Sequence, residues 1–266
     1  VVITHSLAAF YPWTVFAEGS RFAEKMQPHY AWESLFHWPP LSILTAAHFA
    51  VCLFFILSGY VLSVRFIGEP DQFKRIVGAI IKRPFRLGGL ALLSLLLGAG
   101  FWSAGWLLSG PVGELAGSSG WLDTFWVGEM HWPTFWKSLL TARAGSEYNP
   151  PLWTIKIEVI GSFLVFFLLL AINWMARWAR LLVMVALLYP TVGTYYEGFL
   201  IGMILAEMFK AGVREPGAAS TALQNAGHAP RRRDVLRFWV LSAIALLMAS
   251  FPYYAADTLL PAFRHI

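Results

Sequence analysis

The sequence predicts an all-α, polytopic integral membrane bundle of about seven transmembrane helices, and three observations carry that prediction. The first is composition: of 266 residues, 58% are hydrophobic and 13% are charged. Soluble domains sit near 45–50% apolar and roughly 25% charged. A chain this apolar cannot cover a water-facing surface, and it is far too hydrophobic to stay disordered. The second is a series of long runs free of Asp, Glu, Lys and Arg. The third is the sorting of basic residues into alternate connections. The net charge of +5 therefore reads as topology and not as a nucleic-acid footprint, because the basic residues cluster between apolar runs. The single cysteine, Cys52, excludes an internal disulfide framework and a Cys-rich zinc site.

Taken in order, the charge-free runs are 1–17, 41–64, 87–113, 159–176 and 238–256; the stretch 181–206 carries only Glu197. A spanning helix needs about 20 mainly apolar residues. The stretch from 181 to 209 is interrupted by Tyr189-Pro190-Thr191-Val192-Gly193-Thr194, so it is expected to form two short or tilted helices. Strand-like alternation does not occur, which argues against a barrel. With the first helix running outward, the cytoplasmic connections 65–86, 174–180 and 210–237 hold fourteen of the twenty Lys and Arg residues. The outer side holds Arg21, Lys25, Lys137, Arg143 and Arg264, and Lys156 lies within a span. The opposite orientation would invert this positive-inside bias. On the outer side, Trp102, Trp106, Trp121, Trp126, Trp132 and Trp136 suit the headgroup zone. Residues 211–234, with Gly, Ala, Ser, Pro and a triple Arg, read as a flexible cytoplasmic loop. The chain opens on Val1 directly into a span and ends soon after the last one, so it is expected to be cut at both ends from a longer parent.

Ionisable residues inside spans cost roughly 2.5–3.5 kcal/mol on insertion scales. They are therefore where function is expected: His5, His48, Lys156, Glu158 and Glu197. His5 could take and return a proton near neutral pH; the alternative is a helix histidine bonded to a neighbouring helix. Glu158 lies deep enough in its helix that its carboxylate must be paired or protonated. Lys156 is two residues away and does not share its helical face. In the run Lys82-Arg83-Pro84-Phe85-Arg86, the two arginines are spaced i, i+3 and can grip a phosphate together, or serve topology alone. Pro84 fits the first turn of a helix. Ser58-Gly59 allows close helix packing. His29, His37, His131, His228 and His265 lack metal-ligand spacing, so no metal is expected.

Four segments together resemble the membrane-bound acyltransferase family 3, the O-acetyltransferases of bacterial and fungal sugars and polysaccharides. They are Val-Val-Ile-Thr-His5-Ser6, Phe-Phe-Ile-Leu-Ser58-Gly59-Tyr60, Lys82-Arg83-x-x-Arg86-Leu87, and Pro151-Leu-Trp153-Thr-Ile-x-x-Glu158-x-x-Gly161-Ser162. The stretch Gly198-Phe-Leu-Ile-Gly202-Met-Ile-Leu-Ala206-Glu207 is also similar, and the Leu-Trp-Thr-Ile spelling is nearest to fungal members. The resemblance implies one transmembrane acyltransferase domain over 1–266, with His5 as the catalytic histidine and Glu158 building the site. It implies that Lys82, Arg83 and Arg86 contact the phosphates of an acyl-CoA donor, typically acetyl-CoA. Ser58 and Trp153 would lie on the substrate side. The chain departs from the family in two ways: it begins too late to show a basic residue ahead of the histidine, and it has about seven spans where about ten are common.

A thioester donor is already activated, so the reaction needs chiefly a base for the acceptor hydroxyl and a site for the donor phosphates. His5 could act as that base or carry the acyl group itself. The implied partners are membrane lipid, acyl-CoA and a hydroxyl-bearing acceptor, in a multi-pass membrane location, with no nucleic acid. Two other classes fit the same residues: a proton-coupled transporter or flippase, and a non-catalytic scaffold derived from the enzyme.

Overall fold

In the computed structural model, the described residues are 2–16, 28–69, 72–126, 128–133, 135–136, 148–149 and 152–214. They are helical, with no strand among them. In chain order the helices are α1 (Val2–Phe10), α2 (Ala47–Val64), α3 (Phe73–Ser103), α4 (Ser109–Leu115), α5 (Ser119–Leu122), α6 (Trp153–Ile172), α7 (Arg177–Thr191) and α8 (Tyr195–Arg214). Short 3-10 turns lie at Pro12–Thr14, Ala31–His37 and Leu41–Leu44.

Helices α2, α3 and α6 are long and apolar enough to cross a bilayer, which is compatible with a membrane protein. Helices α1 and α7 have 9 and 15 residues, below the length a span needs. The seventh expected span, 238–256, lies outside the described residues. So do the basic residues Arg21, Lys25, Lys137, Arg143 and Arg264. The expected interruption near Pro190 is present: α7 ends at Thr191, and Gly193 turns the chain at φ +76° before α8 begins. Helix α8 runs to Arg214, so the start of the expected loop at 211–214 is helical; the rest of that loop lies outside the described residues.

One boundary differs from expectation in a way that matters. Helix α3 begins at Phe73, well before the charge-free run, so Lys82, Arg83 and Arg86 lie within it and Pro84 is interior, not in the first turn. Lys and Arg are strong helix formers, and a charge that ends an apolar run need not end a helix. At 31 residues, α3 is about 46 Å long, so it exceeds the roughly 30 Å hydrocarbon core and carries its cations on the same rod as its apolar stretch.

The described residues fall into two compact units. One contains Val1–Ala50 and Phe85–Lys156; the other contains Val51–Pro84 and the described part of Ile157–Leu246. In the first, Leu95, Ala99, Phe135 and Tyr148 form a small core. Its α3 segment exposes Leu90, Leu93 and Leu97 on one side, a stripe suited to lipid contact. The second unit holds the larger core, built around Phe55, Phe166, Leu169, Met184, Phe199 and Met203. Helix α6 buries Glu158, Gly161, Ser162, Val165, Phe166, Leu169 and Ile172; this helical spacing puts the carboxylate on the core-facing stripe and not on a lipid-facing one.

Glycines let the helices of the second unit approach closely. A Cβ at Gly59 of α2 would meet the Phe199 backbone, and one at Gly202 of α8 would meet the backbone of Ile56 and Tyr60. Gly198 and Gly202 form a small-xxx-small pair on α8, the pattern that allows such approach in membranes. Replacing Gly202 with Leu must push two backbones apart, so detergent-solubilised protein is expected to lose about 1–3 kcal/mol of unfolding free energy or more. Gly78→Ala, where a Cβ meets no atom within 4 Å, is expected to be neutral or slightly stabilising in the same unfolding measurement. Equal behaviour of the two variants would refute the close-packing account.

Candidate functional site

The charged centre of the second unit is built from three helices. Arg83 of α3 reaches α6, where its Nη2 pairs with Oε1 of Glu158 and its Nε donates to Ser162 Oγ at 2.9 Å. Ser162 Oγ in turn donates to the Glu158 carbonyl at 2.5 Å, one helical turn back. Ser58 of α2 lies beside the same carboxyl group. Glu158 is 2% exposed, whereas the Arg83 side chain is 17% exposed, so the pair has a sealed end and an open end. Gly161 backs the cluster; a side chain there would collide with the Phe199 ring. Glu158 Oε2 is buried without a hydrogen-bond partner among the described residues. A buried, half-satisfied carboxylate of this kind holds its shape only because the guanidinium remains opposite it. Arg83 Nη1 makes no hydrogen bond among the described ones, and the side chain as a whole is 17% exposed.

The other residues singled out in the sequence are placed as follows. Lys82 is exposed and belongs to the second unit with Arg83; Arg86 is exposed and belongs to the first. Trp153 opens α6, 39% exposed, and Lys156 is exposed one turn further on. Both lie in the first unit. His5, also in the first unit, sits on α1 with an exposed side chain, its ring 6.1 Å from that of Trp121. Helix α1 is fixed on both sides of it. Thr4 Oγ1 donates to the Leu44 carbonyl at 3.2 Å, and Ser118 Oγ donates to the Ala9 carbonyl at 2.7 Å. Of the six tryptophans between 102 and 136, Trp102 and Trp126 spend their indole N–H groups on the Gly128 and Tyr148 carbonyls, so these two act in the fold, while Trp106, Trp132 and Trp136 are exposed.

Two buried charge clusters escaped the sequence reading. Arg180 of α7, counted there as a topological charge, is buried and grips Glu207 of α8 with Nε and Nη2 at 3.1 and 2.5 Å. Its Nη1 donates to the Met175 carbonyl at 2.7 Å. In the first unit, Glu33 is fully buried, and its Oε1 accepts the backbone N–H groups of His29 and Tyr30 at 2.9 Å each. The i, i+3 pair Arg177/Arg180 and the acidic end of the Gly198–Glu207 segment were the available signal for the first cluster. For Glu33 the only cue was an acid three residues into a turn.

Comparison with known proteins gives a distant relative. The chain is 28% identical over 269 residues to acyltransferase clz18 of Cochliobolus lunatus, an alignment covering 84% of this chain and 56% of that protein. The chain thus spans a little over half the length of the curated relative it matches. No family model matches the sequence, and no solved structure matches it.

Proposed function

We propose that this chain carries the catalytic part of a multi-pass membrane O-acyltransferase of the family 3 kind. It would move an acyl group, in the first instance acetyl, from acyl-CoA to a hydroxyl of a carbohydrate or other small acceptor. The observation that carries this reading is Arg83, held in a candidate span by a buried carboxylate and a serine with one guanidinium nitrogen left over. The name of the fungal relative supports the reaction class. Glu158 and Ser162 fix two faces of the guanidinium, so the remaining nitrogen can meet a donor phosphate without a search through rotamers. Lys82, exposed in the same unit as Arg83, adds cationic reach, and Arg86 keeps the donor role that the resemblance implies.

His5 supplies the base. Its imidazole takes the proton of the acceptor hydroxyl as the oxygen attacks the thioester carbonyl. The carbon–sulfur bond then breaks, and the coenzyme thiolate leaves with the proton that the imidazolium returns. Ser58 and Trp153 lie on the substrate side in this reading.

His5→Ala is expected to lower acyl transfer from labelled acetyl-CoA by about 10²–10⁴-fold, measured on the full-length protein in nanodiscs. The exposed position of His5 on α1 predicts little change in its unfolding. Transfer at the parental rate would remove His5 from the mechanism and with it this reading.

A further inference from the structure

One end of the second unit is organised around the loop that follows α2. Asn173, at the end of α6, accepts the Gly68 N–H at 2.6 Å and donates to the carbonyls of Phe66 and Glu69 at 3.3 and 2.7 Å. Lys210 of α8 donates to the Ile67 carbonyl at 2.9 Å and pairs with Glu69 at 2.7 Å. The Arg180–Glu207 pair joins α7 to α8, and Arg180 reaches back to Met175. This one end therefore gathers the C-terminus of α2, the N-terminus of α3, the α6–α7 turn and the C-terminal half of α8.

The charge at this end is unbalanced by construction. Its described carboxylates, Glu69 and Glu207, are both held in internal pairs with Lys210 and Arg180. Arg65, Lys74, Arg75 and Arg177 remain exposed. Arg75 lies over the Phe66 ring, 5.8 Å from its centroid, which holds its guanidinium at this surface. Arg177 approaches Glu207 only to 3.8 Å, with its side chain 55% exposed. Beside these cations stand exposed aromatic rings: Phe73, Trp174 at 79% and Trp178 at 71%. Trp174 lies in the α6–α7 turn and Trp178 in the first turn of α7, on either side of Arg177 in the sequence. Cations interleaved with exposed indoles, at the ends of the candidate spans α2 and α6, fit a layer that presents phosphate above and hydrocarbon below.

We propose that this end of the second unit is a binding surface for anionic phospholipid headgroups, with Arg65, Lys74, Arg75 and Arg177 on the phosphates and Trp174 and Trp178 at the ester level. The inference rests on the membrane-embedded part of the functional reading, and not on its acyltransferase chemistry. The internal pairs are what make the surface work. By neutralising Glu69 and Glu207 they leave the exposed charges among the described residues of this end positive, and by pinning the loop after α2 they fix where Arg65 stands.

The test uses the full chain in nanodiscs of pure phosphatidylcholine and of phosphatidylcholine containing phosphatidylglycerol. Native mass spectrometry counts retained lipid, and thermal unfolding reports stabilisation. Preferential retention of the anionic lipid, with a higher unfolding midpoint in the anionic discs, is expected for the parent. The triple variant Arg65→Gln, Lys74→Gln, Arg75→Gln changes exposed side chains only, and should hold the anionic lipid roughly a hundredfold more weakly. Its midpoint in pure phosphatidylcholine should match that of the parent. Equal retention of both lipids by the parent, or unchanged preference in the variant, overturns the proposal. Displacement of the lipid by soluble coenzyme A also overturns it, because the surface would then be a donor-phosphate site. Recovery of the chain in the soluble fraction without detergent sinks the membrane reading itself, an outcome read before any lipid is added.

Discussion

Glu158→Leu alone is expected to destabilise the protein by about 3–5 kcal/mol, and adding Arg83→Met to it should recover most of that loss. The asymmetry follows from the site. Glu158 is 2% exposed, so removing its carboxylate leaves a guanidinium facing an apolar stripe with Ser162 as its remaining described partner. Removing Arg83 leaves the carboxylate sealed and uncompensated, which should cost as much. Removing both deletes two ions whose desolvation was never fully repaid, since Glu158 Oε2 lacks a hydrogen-bond partner among the described residues. Replacement of such a pair by apolar residues of similar volume is often neutral or stabilising. SDS-titrated unfolding in mixed micelles gives the four corners of the cycle, and a large favourable coupling energy is expected between neighbours of this kind. Single variants that each cost under about 1 kcal/mol would show that the pair is solvated, as an exposed ion pair is. Under the proposed function, the double variant should also lose acyl transfer while it remains folded; retained transfer would count against the proposed site.

Much of the architecture was legible because apolar length and charge spacing act locally. The residues of α1 and α2 lie within charge-free runs; α6, α7 and α8 overlap theirs but extend past them, taking in Lys156 and Glu158, Arg177 and Arg180, and Glu207 and Lys210, and the Pro190–Thr194 interruption falls where α7 gives way to α8. The start of α3 was not legible. Lys74, Arg75, Lys82 and Arg83 looked like a connection, yet in a helix that outruns the hydrocarbon core such side chains can sit on solvated turns. The chemistry of the site was legible by residue type and not by partner. Glu158 stood out as an ion in an apolar run, but its guanidinium comes from a helix 75 positions away, a pairing that no local rule contains. Arg180 was hidden for the opposite reason. It stands where positive-inside charges are expected, and only burial distinguishes it from Arg177 three residues before. Glu33 was invisible because a carboxylate capping a short turn in a loop resembles any solvated acid until the burial is seen.

The contrast between those two arginines gives the second large effect. Arg180→Ala is expected to cost about 3–5 kcal/mol, because it leaves the carboxylate of Glu207, 4% exposed, buried without its main partner. Arg177→Ala should cost at most about 1 kcal/mol, since its contact with Glu207 is 3.8 Å long and its side chain is 55% exposed. Lysine does not rescue Arg180. The arginine spreads three nitrogens over two Glu207 oxygens and the Met175 carbonyl. An ammonium is a compact point charge that cannot reproduce this planar fork. Hydrogen bonds to charged groups contribute roughly 1.5–3 kcal/mol each, so Arg180→Lys should lie between the alanine variant and the parent, nearer to the former. The consequence reaches beyond α7 and α8. The Met175 carbonyl belongs to the turn that leads from Asn173, whose amide clasps the loop after α2. Loss of Arg180 should therefore raise amide hydrogen exchange at Gly68 and Glu69 as well as in the α6–α7 turn, whereas loss of Arg177 should leave exchange at both places unchanged. Equal stabilities for the two alanine variants, or exchange confined to α7, would mean that Glu207 is wetter and less coupled than its burial indicates.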